Sequence, residues 1–147
     1  MNTKSNGFTL LEMIIVIGIL ASLAVLMFTS YVAVQRSARD SRRRADLEQI
    51  RAALEQWRSD KGMYPTSLDN QVNCNSTGGL TSGADIYLQT IPKDPRCPAR
   101  SYKAVISASD YTLGAGLESV TTICGGLGGQ CGGSINCTYC VGPYGQK

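Results

Sequence analysis

From Met13 to Val34 the chain runs for 22 residues without a formal charge or a proline. At 1.5 Å per residue such a run makes a helix of about 33 Å, enough to cross a bilayer core about 30 Å thick. A second pattern follows it. Leu47, Ile50, Leu54 and Trp57 recur at spacings of three, four and three, so they line one helical face, while Glu48, Arg51, Glu55 and Arg58 fall largely elsewhere. That face predicts an amphipathic helix covering an apolar surface, most simply a sheet. Gly62 is placed to end the helix, and Pro65 bars its continuation. Further on, Ser101 to Ser107 and Tyr111 to Ala115 are short runs with β-branched or aromatic residues around a Ser-Ala-Ser-Asp turn, which predicts an antiparallel hairpin. A third strand is expected over Ser119 to Ile123. Asn70 to Asp85, rich in Asn, Ser, Thr and Gly, reads as an exposed loop.

Glu12 stands at the mouth of the apolar run, where a bare carboxylate is disfavoured. Insertion scales place an acidic side chain at roughly 2.5–3.5 kcal/mol at the centre of a span. A cut between Gly7 and Phe8 would supply a partner, because the new α-amino group, with an ordinary pKa of about 7.7–8.0, would lie within one helical turn of Glu12. Met1 to Gly7 fits a short cytoplasmic leader: it carries Lys4 among polar residues and ends on a small one. An ordinary secretory signal puts its apolar region before the cut, whereas here it lies after.

Gly7-Phe8-Thr9-Leu10-Leu11-Glu12 resembles the class III prepilin signal shared by type IV pilins and type II secretion pseudopilins. The resemblance implies cleavage after Gly7 by a prepilin peptidase, N-methylation of Phe8, and an assembly charge at Glu12. Two later stretches carry it onward. Gly62-Met63-Tyr64-Pro65 resembles the family's turn out of the long helix, and Ile91-Pro92-Lys93-Asp94-Pro95 resembles a loop of the major pseudopilin and related pilins. The implied fold is α+β, a type IV pilin-like long spine helix packed on a small antiparallel meander. The boundaries are a leader at 1–7, a membrane and filament-core helix at 8–34, an amphipathic continuation at 35–62, and an ectodomain at 63–147 with a Gly- and Cys-rich end. The implied partners are further copies of the chain in a helical filament, the prepilin peptidase, an assembly platform, and the inner membrane before assembly. The expected destination is a surface filament. The leading expectation is a structural subunit of a type IV pilus; the alternatives are a pseudopilin of a type II secretion system and a DNA-binding minor pilin of an uptake system. Many pilins have a proline where Thr29 stands, a point at which their helix unwinds on assembly. Gly18, Ala21, Ser22 and Ala24 would permit close helix approach.

Net charge is +3, and it is concentrated: positions 36 to 61 hold eight basic and five acidic residues, while the remainder balances at six and six. Arg36, Arg39, Arg42, Arg43 and Arg44 invite three readings. The positive-inside rule would keep them in the cytoplasm. A phosphate or DNA contact, as in an uptake minor pilin, is a second, though no aromatic is interleaved for base stacking. A solvated helix face with interspersed acids is the third.

Cysteine use favours the extracytoplasmic topology. Cys74, Cys97, Cys124, Cys131, Cys137 and Cys140 all follow the span, an even number in a Gly-rich module, as expected of an oxidising compartment. Ten glycines and four cysteines lie between Gly114 and Lys147, a composition expected to need disulfides of about 2–4 kcal/mol each. The pairing stays open, with Cys74–Cys97 and the four late cysteines among themselves preferred. Cys137-Thr138-Tyr139-Cys140 could instead be half a zinc knuckle or a redox motif, but no second motif stands at zinc-ribbon spacing and histidine is absent. The related pseudopilins carry an acidic calcium loop near Leu113 to Ser119, where this chain offers only Glu118. No cofactor or metal is therefore expected. With no histidine, phosphate loop or nucleophile elbow, the chain reads as a non-enzyme.

Overall fold

In a computed structural model of the protein, the described residues are 7–66, 68, 72–75, 77–125, 127 and 130–147, with the side chains of 26–29 left aside. The proposed leader positions Met1 to Asn6 and the Thr29 side chain lie outside them. One long helix, α1 (Leu10–Lys61), is followed by six short strands: β1 (Leu80–Ser82), β2 (Asp85–Leu88), β3 (Lys103–Ile106), β4 (Tyr111–Ala115), β5 (Tyr139–Gly142) and β6 (Gly145–Gln146). The architecture is α+β and pilin-like. The chain divides into two compact units between Arg36 and Ser37.

From Leu10 onward the first unit is helix. Thr9 caps it: its hydroxyl accepts the Glu12 amide at 3.2 Å and its carbonyl accepts the Met13 amide at 3.3 Å. Thr9-x-x-Glu12 has the spacing of a capping box, and Glu12 lies in the first turn, where the helix dipole favours an anion. The described apolar side chains of this unit are all exposed, Phe8 at 75% and Leu10 at 78%.

In the second unit the 47/50/54 face of α1 is fully buried against Tyr64, Leu80, Ile91, Tyr102, Tyr111, Leu113 and Val141, with Trp57 packed at the edge. The surface it covers is an antiparallel meander in the order β3-β4-β5-β6. Ile106 faces Tyr111 at the β3–β4 turn, and Leu113 faces Val141 across β4–β5. β4 is buried along its whole length, as its central position requires. Gly62, at φ +77°, ends α1 in the left-handed conformation that glycine adopts without a Cβ clash.

The 103–115 hairpin is present as expected, but the expected strand over Ser119 to Ile123 is not. The amides of Glu118 and Ser119 donate to the Asp40 carboxylate instead of to a ladder. The position beside β4 is taken by β5, so the Gly-rich end supplies two strands of the main sheet. The Asn70 to Asp85 stretch also differs from a plain exposed loop, though residues 70, 71 and 76 lie outside the described set. Val72 and Leu80 are buried, and Leu80–Ser82 pairs with the strand opening at Asp85.

Disulfides join Cys74 to Cys97, Cys124 to Cys140 and Cys131 to Cys137. Cys137 and Cys140 thus belong to different bridges, leaving no Cys-x-x-Cys dithiol. With Leu127 the late cysteines form a second small core. Gly132, at φ +93°, lets this loop press on the backbone of Arg100 and Ser101, where an added Cβ would come within 2.6 Å of the Ser101 amide nitrogen.

Candidate functional site

Two groups of residues stand out, one in each unit. In the first, Gly7, Phe8 and Glu12 lie exposed at the start of α1. Small residues Gly18, Ala21, Ser22 and Ala24 interrupt the exposed apolar surface, and the Ser22 hydroxyl is turned back onto the Ile19 carbonyl at 2.8 Å. In lipid this self-satisfied helix exposes no unpaired backbone group along its interior. Outside lipid its apolar surface would need protein cover.

In the second unit a charged clamp surrounds Arg43, which is 0% exposed. Asp40 and Arg43 are one turn apart on α1. Arg43 donates from Nε and Nη2 to Asp94 at 2.7 and 3.1 Å, from Nη1 to Asp40 at 2.8 Å, and from Nη1 to Glu118 at 3.0 Å. Glu118 also accepts two bonds from Arg39 at 2.8 and 2.7 Å and one from Arg96 at 3.4 Å. Asp40 receives the amides of Glu118 and Ser119 and the Ser119 hydroxyl, the last at 2.6 Å. Asp94 takes the Arg96 amide at 2.7 Å. Arg100 donates to the Gly116 carbonyl at 2.6 Å. One guanidinium thereby ties the helix, the Pro92–Pro95 loop and the loop after β4 to each other.

The electrostatics follow from these contacts. The hydrogen bond from Arg39 and the charges of both arginines outweigh burial and hold Glu118 down at about 2. Burial works against ionising Asp40, but the Ser119 hydroxyl, the two amides and Arg43 overcome it and leave its pKa lowered. Burial likewise works against the Arg43 cation, and Asp94, Glu118 and Asp40 together raise it above the ordinary value. A buried charge is tolerated only with partners of this quality.

The sequence-based readings of the five arginines need correction here. Arg43 is neither a solvated residue nor accessible to a phosphate, and Arg39 is engaged by Glu118. Arg36 and Arg42 remain exposed, and Arg44 stacks over the Tyr139 ring at 5.7 Å. The clamp itself is absent from a local reading, since two of its three acids come from 51 and 75 residues away. Its signals were the i, i+3 pair Asp40/Arg43, Asp94 in the Pro-x-Asp-Pro loop, and the solitary Glu118.

A neighbouring set is built on Glu55, whose carboxylate accepts the hydroxyls of Tyr64 at 3.0 Å and Tyr111 at 2.7 Å. Tyr102 donates to Asp46 at 2.5 Å. Burial and these acids push the Tyr102 and Tyr111 phenols well above their ordinary value. Among the described residues no group of three or more His, Cys, Asp or Glu side chains stands ready to hold a metal. The loop at Leu113 to Ser119 does not fit a calcium ion, because the Glu118 oxygens are taken by guanidinium groups.

Residues 2–28 match the prokaryotic N-terminal methylation motif, and residues 30–116 match the family of type II secretion system (T2SS) protein G. The chain belongs to the protein G family. The type II secretion system core protein G of Aeromonas hydrophila is 30% identical to it over 99 residues, covering 63% of this chain and 68% of that protein. No solved structure gives a significant match. The protein G match ends at Gly116, so Glu118 and the four disulfide-bonded half-cystines from Cys124 onward lie outside it. The methylation motif places this chain among type IV pilin-like and pseudopilin proteins.

Proposed function

We propose that this chain is a structural subunit of a type IV pilus, inserted in the inner membrane as a prepilin, cut after Gly7, methylated on the new Phe8 amine and polymerised into a helical filament at the cell surface. The observation that carries this reading is a capped helix whose apolar side chains are exposed, within the stretch that matches the N-terminal methylation motif. Such a surface is satisfied by lipid before assembly and by neighbouring helices afterwards. Head-to-tail contacts whose rotation does not close yield open filaments. Glu12 offers the Phe8 amine of its own or an adjacent subunit a counter-charge, which keeps both groups tolerable while the helix leaves the bilayer. The role is architectural rather than catalytic.

The second reading is a pseudopilin of a secretion machine, favoured by the protein G match. The two diverge in where the polymer is found. Intact mass of protein sheared from the cell surface, before and after reduction, tests the first reading. A chain beginning at Phe8, one methyl heavier and six hydrogens lighter than its reduced form, supports it. Processed protein confined to the envelope would favour the pseudopilin, and a chain starting at Met1 would remove both.

A further inference from the structure

The loop after β4 is where the family resemblance places a metal and where this structure places an arginine. Three carboxylates, Asp40, Asp94 and Glu118, lie within 2.7–3.0 Å of one guanidinium whose side chain is fully buried. Asp40 completes the arrangement by accepting both backbone amides of the loop, at 2.8 Å from Glu118 and 2.9 Å from Ser119. The loop therefore already has a cation, bidentate acid contacts and a fixed backbone.

We propose that Arg43 is the resident cation of this loop: its guanidinium supplies the positive charge that gathers Asp40, Asp94 and Glu118, and the Glu118–Ser119 segment is held in place without calcium. The charge logic supports this. A guanidinium stays protonated at every physiological pH and cannot be chelated or diluted away, and its planar fork matches the Asp94 carboxylate in a way a spherical ion does not. A divalent ion seated on Glu118 would have to displace Arg39 and Arg43 from it together, and would then lie beside the Arg43 cation, still held by Asp40 and Asp94, whose like charge repels it. Subunits of this kind would keep their shape where calcium is scarce.

The inference concerns the ectodomain and stands apart from the choice between pilus and pseudopilus. The test is amide hydrogen exchange at Glu118 and Ser119 in the full-length chain in detergent micelles, with calcium or with a calcium chelator. Equal protection and an equal thermal midpoint in both conditions are expected. Protection that develops only with calcium would overturn the proposal. The second arm is Arg43→Met, which keeps the stem and removes the charge. It should speed exchange at these two amides by at least tenfold, with or without calcium. Wild-type protection in this variant would equally defeat the idea. Should Arg43→Met fail to fold, Arg43→Lys, which keeps a charge but loses the fork, is expected to show intermediate protection unaffected by calcium. A calcium response in Arg43→Lys or in the wild type decides against it.

Discussion

Replacing Glu118 by Gln removes one negative charge from the clamp while keeping its shape. The carboxyl is held at about 2 against an ordinary 4.5, which corresponds to about 3 kcal/mol of preference for the charged form in the folded state. Part of that is not lost on substitution. Arg43 keeps Asp40 and Asp94, and Arg39 is 27% exposed, so its pair is worth under about 1 kcal/mol. A destabilisation of about 2 kcal/mol near neutral pH is therefore expected. The sign with pH is set by linkage. A carboxyl whose folded pKa is depressed stabilises fully above 4.5, and its contribution fades as pH falls from 4.5 toward 2. Denaturant unfolding of the full-length chain in detergent, followed by the single Trp57, should show the wild type losing stability over that acid window. The variant should lose less, so that the two curves converge near pH 2. Parallel curves, with the neutral-pH gap intact at low pH, would refute the assignment of Glu118 as a charged partner of the arginines.

Other outcomes follow from the same geometry. Glu12→Ala should leave membrane insertion and Gly7 cleavage intact but abolish filaments, read by immunoblot of sheared surface material; normal yield would defeat the charge-pair mechanism. Leu54→Ala, at a fully buried position, should cost about 3 kcal/mol by cavity formation, measured by the same unfolding assay. Above pH 10 the raised phenols of Tyr102 and Tyr111 turn the sign around: groups whose folded pKa is raised stabilise below the ordinary value and lose that contribution as pH climbs. Phenolate absorbance should show two tyrosines ionising only as the ectodomain unfolds. Gly132→Ala should destabilise by roughly 1–3 kcal/mol, since it combines a left-handed φ with a backbone clash.

Much of this molecule was legible one residue at a time. The apolar run, the Leu47/Ile50/Leu54/Trp57 stripe, the Gly62 stop and the 103–115 hairpin are all local patterns, with periods that physics ties to helix or strand. What escaped were features whose partners lie far along the chain. Tyr139 to Gln146 looks like glycine-rich filler until β4 is seen to need a neighbour, and a short pairing such as Leu80–Ser82 with Asp85–Leu88 has too few residues to show a period. Ser119 to Ile123 has β-branched residues enough for a strand, but Asp40 claims the amides at its start. Within the arginine run, the burial of Arg43 escaped for the same reason, while Arg36, Arg42 and Arg44 lie on the exposed face. Nothing near Arg43 in sequence announces Asp94 or Glu118, and charge counted by segment is not charge presented by a surface.

The clamp also has a temporal side. In the proposed topology the 36–44 segment must cross the membrane with five arginines and the single acid Asp40, against the bias that holds such clusters in the cytoplasm. The acids that neutralise Arg43 from outside its own helix lie 51 and 75 residues later, so they meet it only once the ectodomain has followed and folded. Folding then acts as a latch on orientation. A charge that resisted export becomes an internal counter-ion, and sliding the helix back would require the finished domain to be opened first.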